Sequence, residues 1–423
     1  MLLNRPGRPN VARADKPPSA LKHAFQSLAT PNFRMLWFGM LFNMASMQVN
    51  IVSRSWLAYR LSGSALVLGI VAIARGLPQL ILSPVGGLAA DRFDKRKLLV
   101  AAQLCLSFLA LVNAVLVQTG LIRVWQLIAL GLLQGTVFPF TMPTRQALIP
   151  QLVTAKDLPN AVAMDSAGRN LNRVAAPSLA GVLIAWNPTV AFYTVAVLYL
   201  ASALTLLRLP PIPSTNDRNV KAGRQMLSGF RYMIGRRRLV ILMGMAFLAV
   251  ILGMPYQQML PVFQSAVLHV GPERLGFMYA AVGAGALVGS LVVAYRSNDP
   301  RRQTYQMIAG IAFGVFLIPF ALSHSFLLSL GALILIGLCN ELFMTINRTL
   351  VVLNTDRQYY GRVMGTYAMT FSLMPIATLP VGAIVDGVGA PATIAVTGAL
   401  LTIAVIVLSV ILPRIWHKDL ATT

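Results

Sequence analysis

The chain has 423 residues, of which 57% are hydrophobic and only 11% are charged, and its mean hydropathy is +0.70. Soluble domains carry roughly a quarter charged residues, so this composition excludes a soluble enzyme and predicts an integral membrane protein. The formal net charge of +23 would fit a nucleic-acid-binding protein. Nearly every cation, however, falls in a gap between apolar segments, so we expect no nucleic-acid partner.

Residues 1–33 are polar, basic and proline-containing, which predicts a disordered cytoplasmic tail. At about 20 apolar residues per crossing, the rest of the chain predicts twelve transmembrane helices. They lie near 35–58, 65–89, 98–119, 124–144, 159–185, 189–208, 240–263, 272–294, 305–322, 326–347, 359–385 and 391–412. A basic cytoplasmic connector at 210–238 separates an N-terminal half (34–209) from a C-terminal half (239–413), and 414–423 form a second tail. The predicted fold class is therefore an all-α integral membrane protein with two six-helix halves.

The cations collect in alternate loops. They are concentrated in the N-terminal tail, in the loop at 91–97, in the connector and in the C-terminal tail. By the positive-inside rule these segments are cytoplasmic, so both termini are expected on that side of a bacterial inner (plasma) membrane. We also expect anionic lipid headgroups to contact this face.

The first predicted span carries a polar stripe. Its four members recur at offsets of four, three and four residues, and at 100° per residue they share one helix face. They are Asn43, Met47, Asn50 and Arg54. A polar stripe cannot face lipid, so it must face water, substrate or another helix. The tenth span repeats the pattern with Asn340 and Met344, and we expect both stripes to line a substrate cavity.

The second and fifth spans contain further ionisable residues, although each costs roughly 2.5–3.5 kcal/mol at the centre of a membrane helix. Arg75 lies near the midplane of the second span, and the fifth span holds Asp165, Arg169 and Arg173. Asp165 and Arg169 are one turn apart and can pair within the helix. The arginines either contact substrate or pair structurally. If all faced one cavity, that cavity would favour an anionic or zwitterionic substrate.

Two acids are candidates for proton coupling. Glu341 has no cation one turn away in its own span, and burial favours the neutral carboxylic acid, so it is the first candidate. Asp165 is the second, although Arg169 is a ready partner that would hold it ionised. The alternative for both acids is interhelical pairing, in which they neutralise arginines and hold the halves together.

A charged segment follows the second span at residues 86–97, and we call it the charged island. It combines glycines with acidic and basic residues. Its candidate gate residues are Gly87, Asp91, Arg92, Lys95 and Arg96. Gly87 would let two helices approach closely, and the cations would contact inner-leaflet headgroups. The alternative is a simple positive-inside anchor, which needs the cations but neither the glycine nor the acid.

The spacing Gly-x-x-x-Asp-Arg-x-x-basic-basic at 87–96 resembles the loop between helices two and three of major facilitator superfamily transporters. Segments 56–64, 140–150 and 361–364 resemble the branch that includes the enterobactin exporter and transmembrane secretion effectors, with relatives among macrolide exporters. The likeness covers residues 33–412. It implies that Asp91 closes a gate on Arg145 and that the first and tenth helices line the central cavity. The family usually has glycine where this chain has Asp94.

From the composition and the resemblance together we expect a secondary active transporter, which exports a small drug-like or siderophore-like molecule by proton-coupled alternating access. Uptake of an organic anion is one alternative. A non-transporting membrane scaffold or sensor is another, but a scaffold would be expected to lose the polar stripe. The sequence has no phosphate-binding loop, no histidine pair at metal spacing and no serine nucleophile elbow. We therefore expect no enzyme activity, no metal and no cofactor, and a monomer whose partners are substrate, protons and lipids.

Overall fold

The computed structural model describes residues 26–154, 156–210, 231–296, 299 and 301–420. The side chains of Gln26, Pro84, Leu88, Asp91, Ser372 and 410–420 also lie outside this description. Most of the predicted N-terminal tail and of the predicted connector therefore falls outside the described residues.

Fifteen helices are distinguished within the described ranges. In the first half they are α1 (Pro31–Ser62), α2 (Ala65–Arg92), α3 (Lys95–Gln118), α4 (Val124–Val137), α5 (Met142–Leu152), α6 (Leu158–Trp186) and α7 (Pro188–Leu206). In the second half they are α8 (Arg237–Leu248), α9 (Tyr256–Val262), α10 (Pro272–Tyr295), α11 (Arg302–Leu322), α12 (Phe326–Leu353), α13 (Tyr360–Ser372), α14 (Met374–Val388) and α15 (Ala390–Leu420).

Eleven helical segments of the described chain are long and apolar enough to cross a membrane. The remaining predicted span, 159–185, corresponds to α6, which is 29 residues long. Its charged residues Asp165, Arg169 and Arg173 lower its hydropathy. The structure confirms the all-α membrane fold, and it is consistent with twelve crossings when α6 is counted.

Three of the crossings are interrupted, and two of the interruptions lie at prolines. Between α4 and α5 the chain forms a 3-10 turn at Phe138–Phe140 that contains Pro139. Between α13 and α14 the break falls just before Pro375. Proline removes a backbone donor and crowds the preceding turn, so such breaks are expected there. Two π-helical turns, Ala249–Gly253 and Phe263–Val267, flank α9 within the seventh crossing.

The connection between α1 and α2 is only two residues long. Gly63 ends α1 with a φ of 65°, a left-handed conformation that glycine adopts without strain. Ser64 then caps α2, because its side-chain oxygen accepts a hydrogen bond from the backbone nitrogen of Val67. We call the end of the bundle that contains this turn the far end, and the opposite end, where α1 begins at Pro31, the tail end.

The hydrophobic core is divided differently at the two ends. One large cluster joins the halves and reaches the far end, with Trp56 and Leu68 from the first half and Leu275 and Val385 from the second. At the tail end each half has its own cluster. Phe33 and Leu148 belong to the cluster of the first half, and the cluster of the second half contains Leu239, Leu350 and Val363. The halves therefore share a core at the far end and have separate cores at the tail end.

Two pairs of helices make the most extensive contacts between the halves, α2 with α14 and α6 with α10. At Gly69 of α2 an added Cβ would lie 2.8 Å from the Cα of Leu379 in α14, which only a glycine permits. In the other pair, an added Cβ on Gly181 of α6 would lie 2.8 Å from the Cα of Gly276 in α10. Small residues let membrane helices approach to backbone contact, so these positions join the halves tightly.

Candidate functional site

The polar stripe of α1 faces other helices of its own half. Asn43 donates a hydrogen bond to Gln103 of α3 (2.9 Å), and Asn50 donates to Gln134 of α4 (3.1 Å). Arg54 donates to the same Gln134 oxygen (3.1 Å) and to the backbone oxygen of Leu127. The stripe residues Asn43, Asn50 and Arg54 are all buried. In this conformation the stripe holds the first half together, and its role in a cavity stays a prediction.

The other cavity candidates lie between the halves or near their surfaces. Met47 is half-buried and packs against the shared core. The guanidinium carbon of Arg75 lies 4.3 Å from the centre of the Phe138 ring, a cation–π contact that partly compensates its burial. Asn340 and Met344 of α12 are buried, and the Oδ1 atom of Asn340 has no hydrogen-bond partner among the described residues.

Four ionisable side chains on α6 and α12 form two ion pairs. The pair of Asp165 and Arg169 lies within α6, as the sequence predicts. The second pair crosses between the halves, because the Nη1 atom of Arg173 lies 2.8 Å from a carboxylate oxygen of Glu341. Thr345 also donates a hydrogen bond to Glu341 (3.2 Å). Glu341 thus lacks a cation on its own helix but has one from the opposite half, as in the interhelical pairing that the sequence left open as the alternative, although the sequence did not identify Arg173 as the partner.

The charged island differs from its predicted geometry at one position. A Cβ added to Gly87 would meet no described atom within 4 Å, so this glycine does not mediate a close helix approach. Gly86 does, since an added Cβ there would lie 2.9 Å from the Cβ of Pro139. The expectation for Gly87 is therefore wrong by one residue. Asp94, at the position where the family usually has glycine, caps α3 by accepting a hydrogen bond from the backbone nitrogen of Lys97 (3.0 Å).

The cations of the island have unequal surroundings. Arg92 is exposed, whereas Arg96 donates a hydrogen bond to the backbone oxygen of Leu207. Lys95 is only 1% exposed, which does not fit a headgroup contact, and its Nζ atom has no hydrogen-bond partner among the described residues. Arg145 of α5 is also buried, and its Nε and Nη2 atoms lack such a partner in the same set.

Asp91 lies in the last turn of α2, but its side chain is outside the described part of the structure. The gate contact between Asp91 and Arg145 therefore stays a prediction.

Asp386 of α14 is a contact residue that the sequence reasoning missed. Its Oδ1 atom accepts a hydrogen bond from the backbone nitrogen of Ala65 (2.6 Å). Its Oδ2 atom accepts hydrogen bonds from the backbone nitrogen of Leu66 (3.0 Å) and from the hydroxyl of Ser64. An acid of the second half thus caps the first turn of α2 in the first half, where the helix dipole favours negative charge. The sequence offered one indication of this role, since Asp386 is a single acid at the end of the apolar segment that forms α14.

Solved structures of transporters share this fold. The nucleoside transporter NupG superposes with a TM-score of 0.72 at 14% identity, covering 89% of this chain and 98% of that one. A bacterial homologue of the human lysosomal transporter Spinster, in an inward-facing and unoccupied conformation, gives a TM-score of 0.67 at 12% identity, covering 93% and 95% of the two chains. At these identities the likeness concerns the fold alone.

Characterised relatives match over most of their length. The staphyloferrin A transporter of Staphylococcus aureus is 24% identical over 82% of this chain and 88% of its own. The enterobactin exporter EntS of Citrobacter koseri is 26% identical over 81% and 80%, and macrolide efflux protein A of Streptococcus pyogenes is 21% identical over 84% and 88%. Residues 22–423 also match the family model described as transmembrane secretion effector. This chain therefore belongs to the transmembrane secretion effector family of the major facilitator superfamily, whose members are membrane transporters.

Proposed function

We propose that this protein exports a small organic molecule, siderophore-like or drug-like, from the cytoplasm in exchange for protons. The names of the relatives support this cargo class, since they include an enterobactin exporter, a staphyloferrin A transporter and a macrolide efflux protein. In this proposal the protein lies in the bacterial inner membrane with its tail end in the cytoplasm, because the cations collect in the loops of that end.

The observation that carries the proposal is the division of the core. The halves share one hydrophobic cluster that reaches the far end but have separate clusters at the tail end. The two halves can separate at the tail end without exposing a shared core to water. At the far end they can separate only if the shared hydrophobic cluster is disrupted. We infer that this conformation admits substrate from the cytoplasm, and that rocking of the halves about a midplane site delivers it to the outside.

Proton coupling in this proposal acts at the contact between Arg173 and Glu341. The ionised carboxylate holds the two halves together through Arg173, and protonation of Glu341 would weaken that attraction. Binding of a proton to Glu341 would thus weaken the ion pair with Arg173, which must break or form as the halves move. Asp165 remains the second candidate, although Arg169 pairs with it inside α6.

Uptake of an organic anion rests on the excess of buried arginines. Three of these arginines have partners within the protein, because Arg54 donates to Gln134 and Leu127, Arg169 pairs with Asp165, and Arg173 pairs with Glu341. The two ion pairs neutralise Arg169 and Arg173, so these residues supply less free positive charge for an anionic substrate than the sequence implied.

Direction can be tested with everted and right-side-out membrane vesicles. After a growth-inhibition panel of siderophores, macrolides, dyes and organic acids has identified a substrate, export by proton exchange predicts that everted vesicles accumulate it when their lumen is more acidic than the medium. Accumulation by right-side-out vesicles alone would overturn the proposal in favour of uptake. A panel with no sensitive compound and no flux in either orientation would instead favour the scaffold or sensor.

A further inference from the structure

A groove opens between α10, α11 and α12 of the second half. Its volume is about 320 Å³, and most of its wall is apolar, including Ala312 and Leu338. The surface beside it is apolar too, since Val292, Ile308 and Leu335 are exposed. In a membrane this surface faces lipid, so the groove is open to the acyl-chain region.

The length of the groove matches one leaflet of a bilayer. Along α11 the lining runs from Arg302 to Ala312, a separation of ten residue steps that spans about 15 Å at 1.5 Å per step. Along α12 it runs from Leu338 to Thr349, which is similar in length. Because the hydrocarbon core is about 30 Å thick, the groove reaches from one membrane surface to about the midplane.

The open end of the groove is basic. Arg296 and Arg302 both line it, and Arg301 precedes Arg302 in the chain. Asp299 is the acid of this loop, and it accepts hydrogen bonds from the backbone nitrogen of Arg301 and the hydroxyl of Tyr305. These hydrogen bonds lower the pKa of Asp299 below its usual value. Residues 296–302 contain three arginines and one acid, so this stretch of the sequence is basic.

An aromatic residue marks the level of this mouth. Tyr295 is the last residue of α10 and is 90% exposed. Tyrosine is enriched where a membrane helix meets the headgroup region, because its ring is apolar and its hydroxyl is polar. The guanidinium of Arg296 lies 5.1 Å from the centre of the Tyr305 ring, which holds it beside the groove.

We propose that this groove is a binding site for an anionic phospholipid of the cytoplasmic leaflet. One acyl chain fills the apolar groove between α11 and α12, and Arg296 and Arg302 attract the phosphate at its mouth. Basic pockets between membrane helices on the cytoplasmic side bind acidic headgroups by the same chemistry. The inference rests on the orientation of the proposed function, with the tail end in the cytoplasm, but it does not depend on which substrate is carried.

Cys339 provides a reporter, because it lines the groove and is buried. Cys105, the other cysteine, is exposed and can be replaced by serine. In nanodiscs of phosphatidylcholine, an apolar maleimide is expected to label Cys339 at a measurable rate, and added phosphatidylglycerol should slow this labelling. Arg296→Gln should weaken that protection about fivefold, which corresponds to the about 1 kcal/mol of one cation near an anionic lipid surface. Arg208→Gln, which removes an exposed cation at the end of α7, should leave it unchanged.

A second pair of variants tests the acyl chain. Ala312→Phe fills the groove and should abolish protection by phosphatidylglycerol, whereas Val315→Phe on the exposed face of the same helix should not. If phosphatidylcholine and phosphatidylglycerol protected Cys339 from labelling equally, the proposal that the site is specific for anionic lipid would be overturned. Protection by the transported substrate but not by lipid would show an entry path for cargo instead. The readout requires no transport, so its failure is distinguishable from failure of the proposed export.

Discussion

Arg173 and Glu341 lie 168 residues apart in the chain, yet a nitrogen of the first is 2.8 Å from a carboxylate oxygen of the second. Each residue comes from a different half, so the pair spans the boundary between the halves, which moves in the proposed transport cycle. Arg173 is 47% and Glu341 is 22% exposed at the side chain, so the described residues do not fully enclose the pair.

Replacing Glu341 by glutamine removes the titratable carboxylate but keeps a side chain of the same shape. We expect Glu341→Gln to abolish the dependence of transport on the pH gradient, while counterflow of substrate persists. The measurement is substrate flux in proteoliposomes with and without an imposed gradient. Thr345→Val is the matched control, since it removes only the hydrogen bond to Glu341. If Glu341→Gln stays fully coupled and Asp165→Asn does not, Asp165 carries the proton.

Asp386→Asn should loosen the far end. The substitution removes the charge that caps α2 from the opposite half, and helix caps contribute about 1 kcal/mol, equivalent to about fivefold in a population. A cysteine in place of Leu68, which is buried in the shared core, should then react about fivefold faster with a water-soluble maleimide in a background lacking Cys105 and Cys339.

Two further variants calibrate this measurement. Ser64→Ala removes one hydrogen bond to Asp386 and also the hydrogen bond by which Ser64 caps Val67, so it should increase the rate as well. Asp299→Asn, which changes an acid at the tail end, should give none. An unchanged labelling rate in Asp386→Asn would show that the cap does not hold the far end closed.

Asp91→Asn should lower transport without preventing membrane insertion. The gate hypothesis needs the carboxylate of Asp91 to meet Arg145, a buried cation with two nitrogens unpaired among the described residues. Arg145→Gln should therefore reduce flux to a similar extent, whereas Lys97→Gln, which removes an exposed cation of the same island, should not. Normal flux in an Asp91→Asn variant that inserts correctly would contradict the gate hypothesis. The charged island would then serve only as a positive-inside anchor.

Arg54→Met should reduce stability rather than change substrate preference. It removes the hydrogen bonds of Arg54 to the carbonyl of Leu127 and to the side chain of Gln134, which keeps only Asn50 as a donor, at a cost of about 1–3 kcal/mol. The melting temperature in detergent should fall, and transport of every substrate should fall in proportion to folded protein. Asn340→Ala is the contrasting variant, because its Oδ1 atom has no partner in the described structure. If Arg54→Met selectively lost transport of one substrate, the result would indicate instead that Arg54 lines the substrate cavity.

Periodicity identified the polar face of α1 but not what it faces. The offsets of Asn43, Asn50 and Arg54 show that they share a face, and hydropathy shows that this face avoids lipid. Their partners Gln103 and Gln134 lie on other helices, at positions that depend on how the bundle packs. Local spacing finds pairs within one turn, such as Asp165 with Arg169.

Local spacing cannot identify contacts between residues that are distant in the sequence, such as Arg173 with Glu341 or Asp386 with the start of α2. The same limit explains the error at Gly87. The motif indicates a glycine at the helix contact, but which of two adjacent glycines faces Pro139 depends on the rotation of α2.

The charges of α6 have a consequence for how the protein is made. This helix is 29 residues long, yet it is not apolar enough to be counted among the eleven membrane-spanning segments. Its close neighbour α10 begins only at Pro272, and Glu341 follows later still. During synthesis Arg173 is therefore produced well before its counter-ion. We expect α6 to enter the bilayer alongside its neighbours α1 and α7, and to remain at the insertion machinery until the second half arrives.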